Sequence, residues 1–328
     1  MTAPANQEQK KAVHIPVMLQ EVISAIAPKD KGTYLDGTLG AGGYTRAILE
    51  TAKCNAICID ADPNALKIAG DLEKKYPGRI HLAIGNFADM EAIAASNGEK
   101  HFDGITLDLG ISSTQLEDEN RGFSFMRDGP LDMRMGNTSK TAADIVNFSS
   151  QEELEEIIRT YGEEKKARKI TRAICKERKK QSIHTTLELA TIIHDSIGQP
   201  RNSIDSATRT FQALRIAVND EIENLRNGLI AAERILKSGG RLAVVSFHSL
   251  EDREVKNFFR SRSGNNPNNN RHIPSSATKL PQPSLKLLFR GAQSPTEAEV
   301  KLNPRARSAR LRVAERTDSA LLEKGLAA

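Results

Sequence analysis

Apolar positions in the first third of the chain come in short runs separated by longer amphipathic stretches. Thr33–Asp36, Ala56–Asp60, Ile80–Ile84 and Gly104–Asp108 are compact apolar runs, as buried strands require. Met18–Ile26 precedes them, and Tyr44–Thr51, Pro63–Lys75 and Met90–Ala95 lie between them with apolar residues at helical spacing. Strands joined by helices of this length predict a parallel sheet with right-handed crossovers. The alternation then stops. From about Leu116 to Arg215 there is no comparable strand, only loop chemistry (Arg121-Gly122-Phe123-Ser124-Phe125, Asp128-Gly129-Pro130) and helical periodicity. It resumes with a helix over Asn219–Leu236, a turn at Ser238-Gly239-Gly240 and a strand over Arg241–Phe247. Ser308–Val313 alternates as a late strand would, with Ala309, Leu311 and Val313 on one face and Arg310 and Arg312 on the other. The pattern predicts an α/β, Rossmann-like domain in two parts, 1–115 and 219–328, interrupted by an all-helical insertion over 116–218. Ser261–Ser276, rich in asparagine and punctuated by proline, predicts a mobile surface loop near 261–280.

The first strand runs into Asp36-Gly37-Thr38-Leu39-Gly40-Ala41-Gly42-Gly43, and the second ends at Asp60. An acid about 20 residues beyond a glycine turn is placed to receive a ribose diol, so the spacing predicts a nucleoside-cofactor site. A dinucleotide fold has G-x-G-x-x-G, because its third glycine lets the helix N-terminus approach a pyrophosphate. Here Gly40, Gly42 and Gly43 are packed as G-x-G-G, Tyr44 follows, and Asp36 opens the loop. A carboxylate there repels phosphate but suits a ligand with a cationic amine, such as S-adenosylmethionine. An ordinary βαβ turn in which Asp36 merely caps the helix has the same spelling.

Composition narrows the class. The 328 residues are 38% hydrophobic and 27% charged, values of a soluble globular protein. No run of about 18 apolar residues exists, so no membrane span is expected. Met1–Lys11 is polar and lacks an apolar signal core, which predicts a cytoplasmic protein. Cys54, Cys58 and Cys175 fit a reducing compartment and have no zinc-ligand spacing, so neither metal nor disulfide is expected. The 47 basic residues exceed the 42 acidic ones by only five, but the excess is concentrated. Lys165, Lys169, Arg172, Lys176 and Lys180 recur at helical spacing opposite Ala167, Ile170 and Ile174. The stripe is either a solvated face or a phosphate-binding one; insertions at the carboxyl end of a strand lie over the cofactor crevice, which favours phosphate.

Other candidates lie at strand ends. Asp108, Ser112, Ser113 and Gln115 follow the fourth strand, where polar groups are ligand contacts or turn residues. Phe87, after the third strand, suits either an adenine stack or the core. His248, within Ser246–Arg253, is a candidate proton acceptor that equally fits a structural role.

These residues, with His14-Ile15-Pro16-Val17-Met18-Leu19, Arg121–Met135, Ala207–Ile216 and Asn303-Pro304-Arg305-Ala306-Arg307-Ser308, closely resemble the bacterial RsmH (MraW) family over nearly the whole chain. The resemblance implies S-adenosylmethionine-dependent methylation of the exocyclic N4 amine of one cytosine in the decoding region of 16S rRNA, in the small ribosomal subunit. It implies a class I methyltransferase fold with an inserted helical domain that recognises substrate. Self-association as a homodimer stays open. Carried over, the cofactor contacts fall on Gly42, Gly43, Tyr44, Asp60, Phe87, Asp108 and Gln115. Tyr44 departs from the histidine common in the family. The chain also lacks the Asp/Asn-Pro-Pro-Tyr-type loop of many amino-methyltransferases, having Asp108-Leu109-Gly110-Ile111-Ser112-Ser113 instead, with no proline pair and no aromatic.

Because the cytosine amine is a poor nucleophile, acceptors on its N–H and in-line placement must carry the reaction, on a base taken out of its stack. Asp108 and Ser112-Ser113 are therefore expected at the reaction centre. Phe123, Phe125, Asp132 and Arg134 are expected to hold base and backbone, with His248 or water taking the proton. A nicotinamide oxidoreductase, or an RNA-binding factor with a vestigial pocket, is the alternative reading.

Overall fold

The computed structural model describes residues 16–136, 138–199, 205–264 and 282–321. The first section runs α1 (Leu19–Ile26), β1 (Thr33–Asp36), α2 (Gly43–Thr51), β2 (Asn55–Asp60), α3 (Ala65–Lys75), β3 (Ile80–Ile84), α4 (Met90–Ser96) and β4 (Phe102–Asp108). Five-residue α5 (Ser113–Glu117) leads into α6 (Ala142–Phe148), α7 (Gln151–Gly162), α8 (Ala167–Glu177), α9 (Thr186–Ile197) and α10 (Thr208–Asn219). The sheet is then completed through α11 (Glu221–Ile235), β5 (Leu236–Ser246), α12 (Ser249–Arg262), β6 (Leu285–Leu287), α13 (Glu297–Leu302) and β7 (Arg310–Arg316).

The sheet has seven strands in the order β3-β2-β1-β4-β5-β7-β6. Strands β1 to β5 are parallel, and β7 runs antiparallel to both β5 and β6. Strand order reverses between β1 and β4, so their carboxyl ends open a crevice. Apolar clusters cover both faces: Tyr34, Ile48, Cys58 and Leu311 on one, Leu35, Ile105, Leu229 and Val244 on the other. A third cluster, including Leu131, Ile158, Ile174 and Phe211, lies within the helical section. Reciprocal capping boxes delimit two of its helices, Thr141 with Asp144 on α6 and Thr185 with Glu188 on α9. Among the described residues no helix is long and apolar enough to cross a membrane.

Several expected boundaries move. The helix expected over Asn219–Leu236 begins only at Glu221, because Asp220 adopts a left-handed conformation (φ 49°) and splits the helical run into α10 and α11. The Ser238-Gly239-Gly240 turn lies inside β5 as a bulge, where Leu236 pairs with Phe102 and Arg241 with Gly104. Ser261 and Arg262 close α12, so the expected loop cannot start there; residues 265–281 lie outside the described ones, as do His14 and Ile15. The basic run is divided: Arg159 belongs to α7, paired with Glu155 and Glu156, and of the stripe Lys169, Arg172 and Lys176 lie on α8, while Lys165 precedes it and Lys180 follows it.

Candidate active site

At the β1/β4 switch point lies a cleft of about 1230 Å³. Its floor is the glycine loop. Gly42 caps α2 with φ +73°, and a Cβ there would come within 2.7 Å of Leu72, so the position demands glycine on both counts. A Cβ on Gly43 would meet Pro16 at 1.9 Å, because residues 16–18 cross the loop as a strap. Two bonds hold that strap: the Tyr44 hydroxyl donates to the Val17 carbonyl, and the Met18 amide donates to Glu299 Oε1 at 2.6 Å. Tyr44 is 3% exposed and lines the cleft. Tyr44→Phe removes one buried hydrogen bond, a cost of about 1 kcal/mol. Scanning calorimetry should find a midpoint lower by about 2 °C, and cofactor titration an affinity weaker by about fivefold as the strap loosens.

One end of the cleft is built on Asp60. Its Oδ2 accepts from the Gly40 amide at 2.7 Å and its Oδ1 from the Asp62 amide at 2.8 Å, which fixes the carboxylate and leaves further lone pairs for a diol. Burial pushes the Asp60 carboxyl up, against the pull of those amides. Next to it Asp62 Oδ2 accepts from Gln115 Nε2 at 3.0 Å and pairs with Arg121 at 2.9 Å. Burial raises the Asp62 carboxyl, but these partners outweigh it and hold it below its usual value. Arg121 also donates to the Arg134 and Met135 carbonyls, so the helical section supplies part of this wall. Thr138 lines the same cleft, and its buried Oγ1 has no partner. Phe87 lines it too, while its ring packs on α11 so closely that a Cβ at Gly228 would lie 2.5 Å away. Wall and core are thus the same residue.

Acids gather at the centre. Asp108 lines the cleft, and its buried Oδ1 has no partner. Burial, then the neighbouring Asp36 and Glu251, push its carboxyl well above the ordinary range. Asp36 itself is not part of the wall. It is 1% exposed beneath the loop, with Oδ2 accepting from Thr45 Oγ1 at 2.7 Å and Oδ1 from the Thr38 amide at 3.3 Å. Burial pushes its pKa from 3.8 to about 6. The folded protein therefore keeps this proton after the unfolded chain has released its own, so stability falls as pH rises from about 4 to about 6. Asp36→Asn abolishes that loss. In urea melts the variant's advantage should open across this window and level off above it near 3 kcal/mol, about 1.4 kcal/mol per pKa unit.

Two other expected chemical residues stand elsewhere. His248 is the N-cap of α12: Nδ1 accepts from the Glu251 amide at 3.4 Å, and Nε2 lies 3.0 Å from Glu251 Oε1 without hydrogen-bond alignment. It is not in the cleft wall; Glu251 is. Asp132 is engaged by Arg134, which binds Oδ1 at 2.9 Å and Oδ2 at 2.6 Å, and neither lines the cleft. The expected base-holding aromatics are also committed: Phe123 is 6% exposed in the core, and Phe125 packs edge-on against Phe211 at 4.8 Å. Ser112 and Gln115 do line the cleft and close on each other, the Ser112 amide on Gln115 Oε1 at 3.0 Å and the Gln115 amide on Ser112 Oγ at 3.2 Å. Of the expected contacts, Gly40, Gly43, Tyr44, Asp60, Phe87, Asp108, Ser112 and Gln115 meet in one cleft.

The junction of α10 and α11 adds residues whose pairing no sequence motif marks. Arg215 and Glu221 form a bidentate pair, 2.8 Å at both contacts, facing the cleft. Glu221, His248 and Glu251 place ligand atoms within 4.8 Å of one another. Arg215 already takes both oxygens of Glu221, and the Phe247 and His248 amides take Oε2 of Glu251, so these donors are spent on the protein itself. Arg215 amid the apolar residues of α10 is the one signal that a buried partner had to exist.

The donor set fits a cationic nucleoside: fixed acceptors at Asp60, unpartnered Asp108 Oδ1 and Thr138 Oγ1, and buried acids where a dinucleotide would bring phosphate. Sheet order and site together define a class I, Rossmann-like methyltransferase. The chain belongs to the MraW methylase family, which it matches over residues 11–317. It is 50% identical over 308 residues to the Ribosomal RNA small subunit methyltransferase H of Rhodospirillum rubrum, covering 93% of this chain and 94% of the relative. The enzyme of the same name in Rhodospirillum centenum is 51% identical over 317 residues, covering 97% and 96%. That of Paramagnetospirillum magneticum is 50% identical over 304 residues, covering 93% and 96%.

Proposed function

We propose that the protein methylates the exocyclic N4 amine of one cytosine in the decoding region of 16S rRNA within the small ribosomal subunit, in the cytoplasm, with S-adenosylmethionine as donor. The observation that carries the reading is the acid-walled cleft with Asp60 fixed at its ribose end, in a chain half identical to enzymes named for small-subunit rRNA.

When bound, the cofactor supplies an electrophilic methyl on a positively charged sulfur. Asp60 accepts from the ribose hydroxyls, Phe87 and Thr138 bound the nucleoside, and the strap at Pro16 and Val17 closes over the methionine end. Asp108 Oδ1 accepts one N–H of the incoming amine, which localises the nitrogen lone pair for attack. Methylation replaces one of the two amine hydrogens, so one proton must leave; Asp108 takes it and passes it to water. Burial has made this carboxylate a stronger base than an exposed one. Ser112 and Gln115 hold the loop that carries the reaction centre. The inserted helical section docks RNA through the exposed Lys165, Lys169, Arg172 and Lys176.

The test is methyl transfer from labelled S-adenosylmethionine to small subunits purified from cells lacking this gene product, followed by nucleoside mass spectrometry. N4-methylcytidine at a single decoding-region position is expected. No transfer, or label on another atom, rejects the reading.

A further inference from the structure

A base drawn out of its stack needs a flat surface to hold it. The loop after β4 carries no aromatic, and Phe123 and Phe125 are consumed by the helical core. Among the described residues the aromatic side chains lining the cleft are Tyr44, Phe87 and Phe247. Tyr44 ties down the strap, and the Phe87 ring is packed against α11, with Cδ2 2.5 Å from where a Cβ on Gly228 would be.

Phe247 stands elsewhere. It directly follows β5, the strand beside β4, so it leaves the sheet next to Asp108; the Leu109 amide bonds the Val245 carbonyl at 2.9 Å and locks the two strand ends together. Its ring lies along the loop after β4, with Cδ2 only 3.5 Å from where a Cβ on Gly110 would be, and glycine puts no side chain there. The backbone beneath the ring is rigid: the Phe247 amide donates to Glu251 Oε2 at 2.8 Å. Glu251 is 3% exposed; burial raises its carboxyl, but the adjacent His248 and Arg215 outweigh this and hold it below its usual value.

From this geometry we infer that Phe247 is the platform on which the target cytosine stacks, presenting its amine to Asp108. The aromatic missing from the β4 loop is thus supplied by the next strand. The assignment rests on the proposed function, and the experiment separates the two.

With hypomethylated small subunits, Phe247→Leu should slow single-turnover methyl transfer by about 10- to 100-fold, the worth of one base stack. Apparent subunit affinity and its salt dependence should hold, because phosphate contacts set them. Phe247→Tyr and Phe247→Trp should recover most of the rate, an order that follows stacking and not side-chain volume or packing. S-adenosylmethionine affinity, measured by calorimetry on each variant, should stay at the wild-type value, which also reports intact folding. A Phe247→Leu rate within twofold of wild type, or Phe247→Tyr and Phe247→Trp as slow as Phe247→Leu, overturns the platform. If the wild-type protein takes up no S-adenosylmethionine, the proposed function itself fails.

Discussion

Asp108→Asn is expected to lower the single-turnover rate of methyl transfer by about 10²- to 10³-fold, the usual loss when a positioned acceptor and base is removed. The change is nearly isosteric and keeps one acceptor oxygen, so the cofactor's affinity should shift by less than about tenfold. What it removes is the negative charge and the ability to take a proton, at the atom left unpartnered on the cleft wall. Quench-flow on hypomethylated subunits measures the rate, and calorimetry the affinity. The two enzymes should also differ in pH profile. Only ionised Asp108 can accept, so the wild-type rate falls as pH drops through its pKa. Burial has moved that fall above the ordinary carboxylate range, while the variant should be flat there. A variant rate within twofold of wild type would remove Asp108 from the chemistry.

Changing Lys165, Lys169, Arg172 and Lys176 together to Gln is expected to weaken binding to the small subunit by on the order of 10²-fold at moderate salt. The log–log salt slope should fall by about three to four, close to one per lost phosphate contact. All four side chains are exposed, while Ala167, Ile170 and Ile174 on the opposite side of α8 are buried, so the fold has no stake in the charges. Lys180 is left out because it pairs with Glu177 at 2.9 Å. Binding isotherms at four salt concentrations check this. An unchanged slope would make the stripe a solvated surface and move RNA recognition to another face.

The inner strands were legible because burial on both faces of a parallel sheet forces continuous apolar runs, and β1 falls where the pattern puts it; β3 does too, although it is the edge strand and only Ile80 of it is buried. The break at Asp220 was not, since a left-handed aspartate leaves no mark such as glycine would. The site divides in the same way. Asp60 and Asp108 reach the cleft because strand ends place them there whatever their neighbours do, and Gln115 because α5 follows β4 directly. Asp36, Asp132 and His248 have chemistry equally suited to a site, yet each is claimed by a residue close in the chain, respectively Thr45, Arg134 and Glu251. Spacing alone cannot say which of two nearby partners wins a carboxylate. Arg215 and Glu221 meet only because the chain turns back between α10 and α11, and Phe247 meets Gly110 only through strand order.

The bond from the Met18 amide to Glu299 spans 281 positions of the chain. A nascent polypeptide emerging from the ribosome would thus carry its glycine turn, Asp60 and the Tyr44 hydroxyl that holds Val17 early, yet lack the second fastening of the segment that roofs them until Glu299 has been made. The roof is therefore completed late in synthesis, and a C-terminal truncation that ends before Glu299 should leave it held by Tyr44 alone.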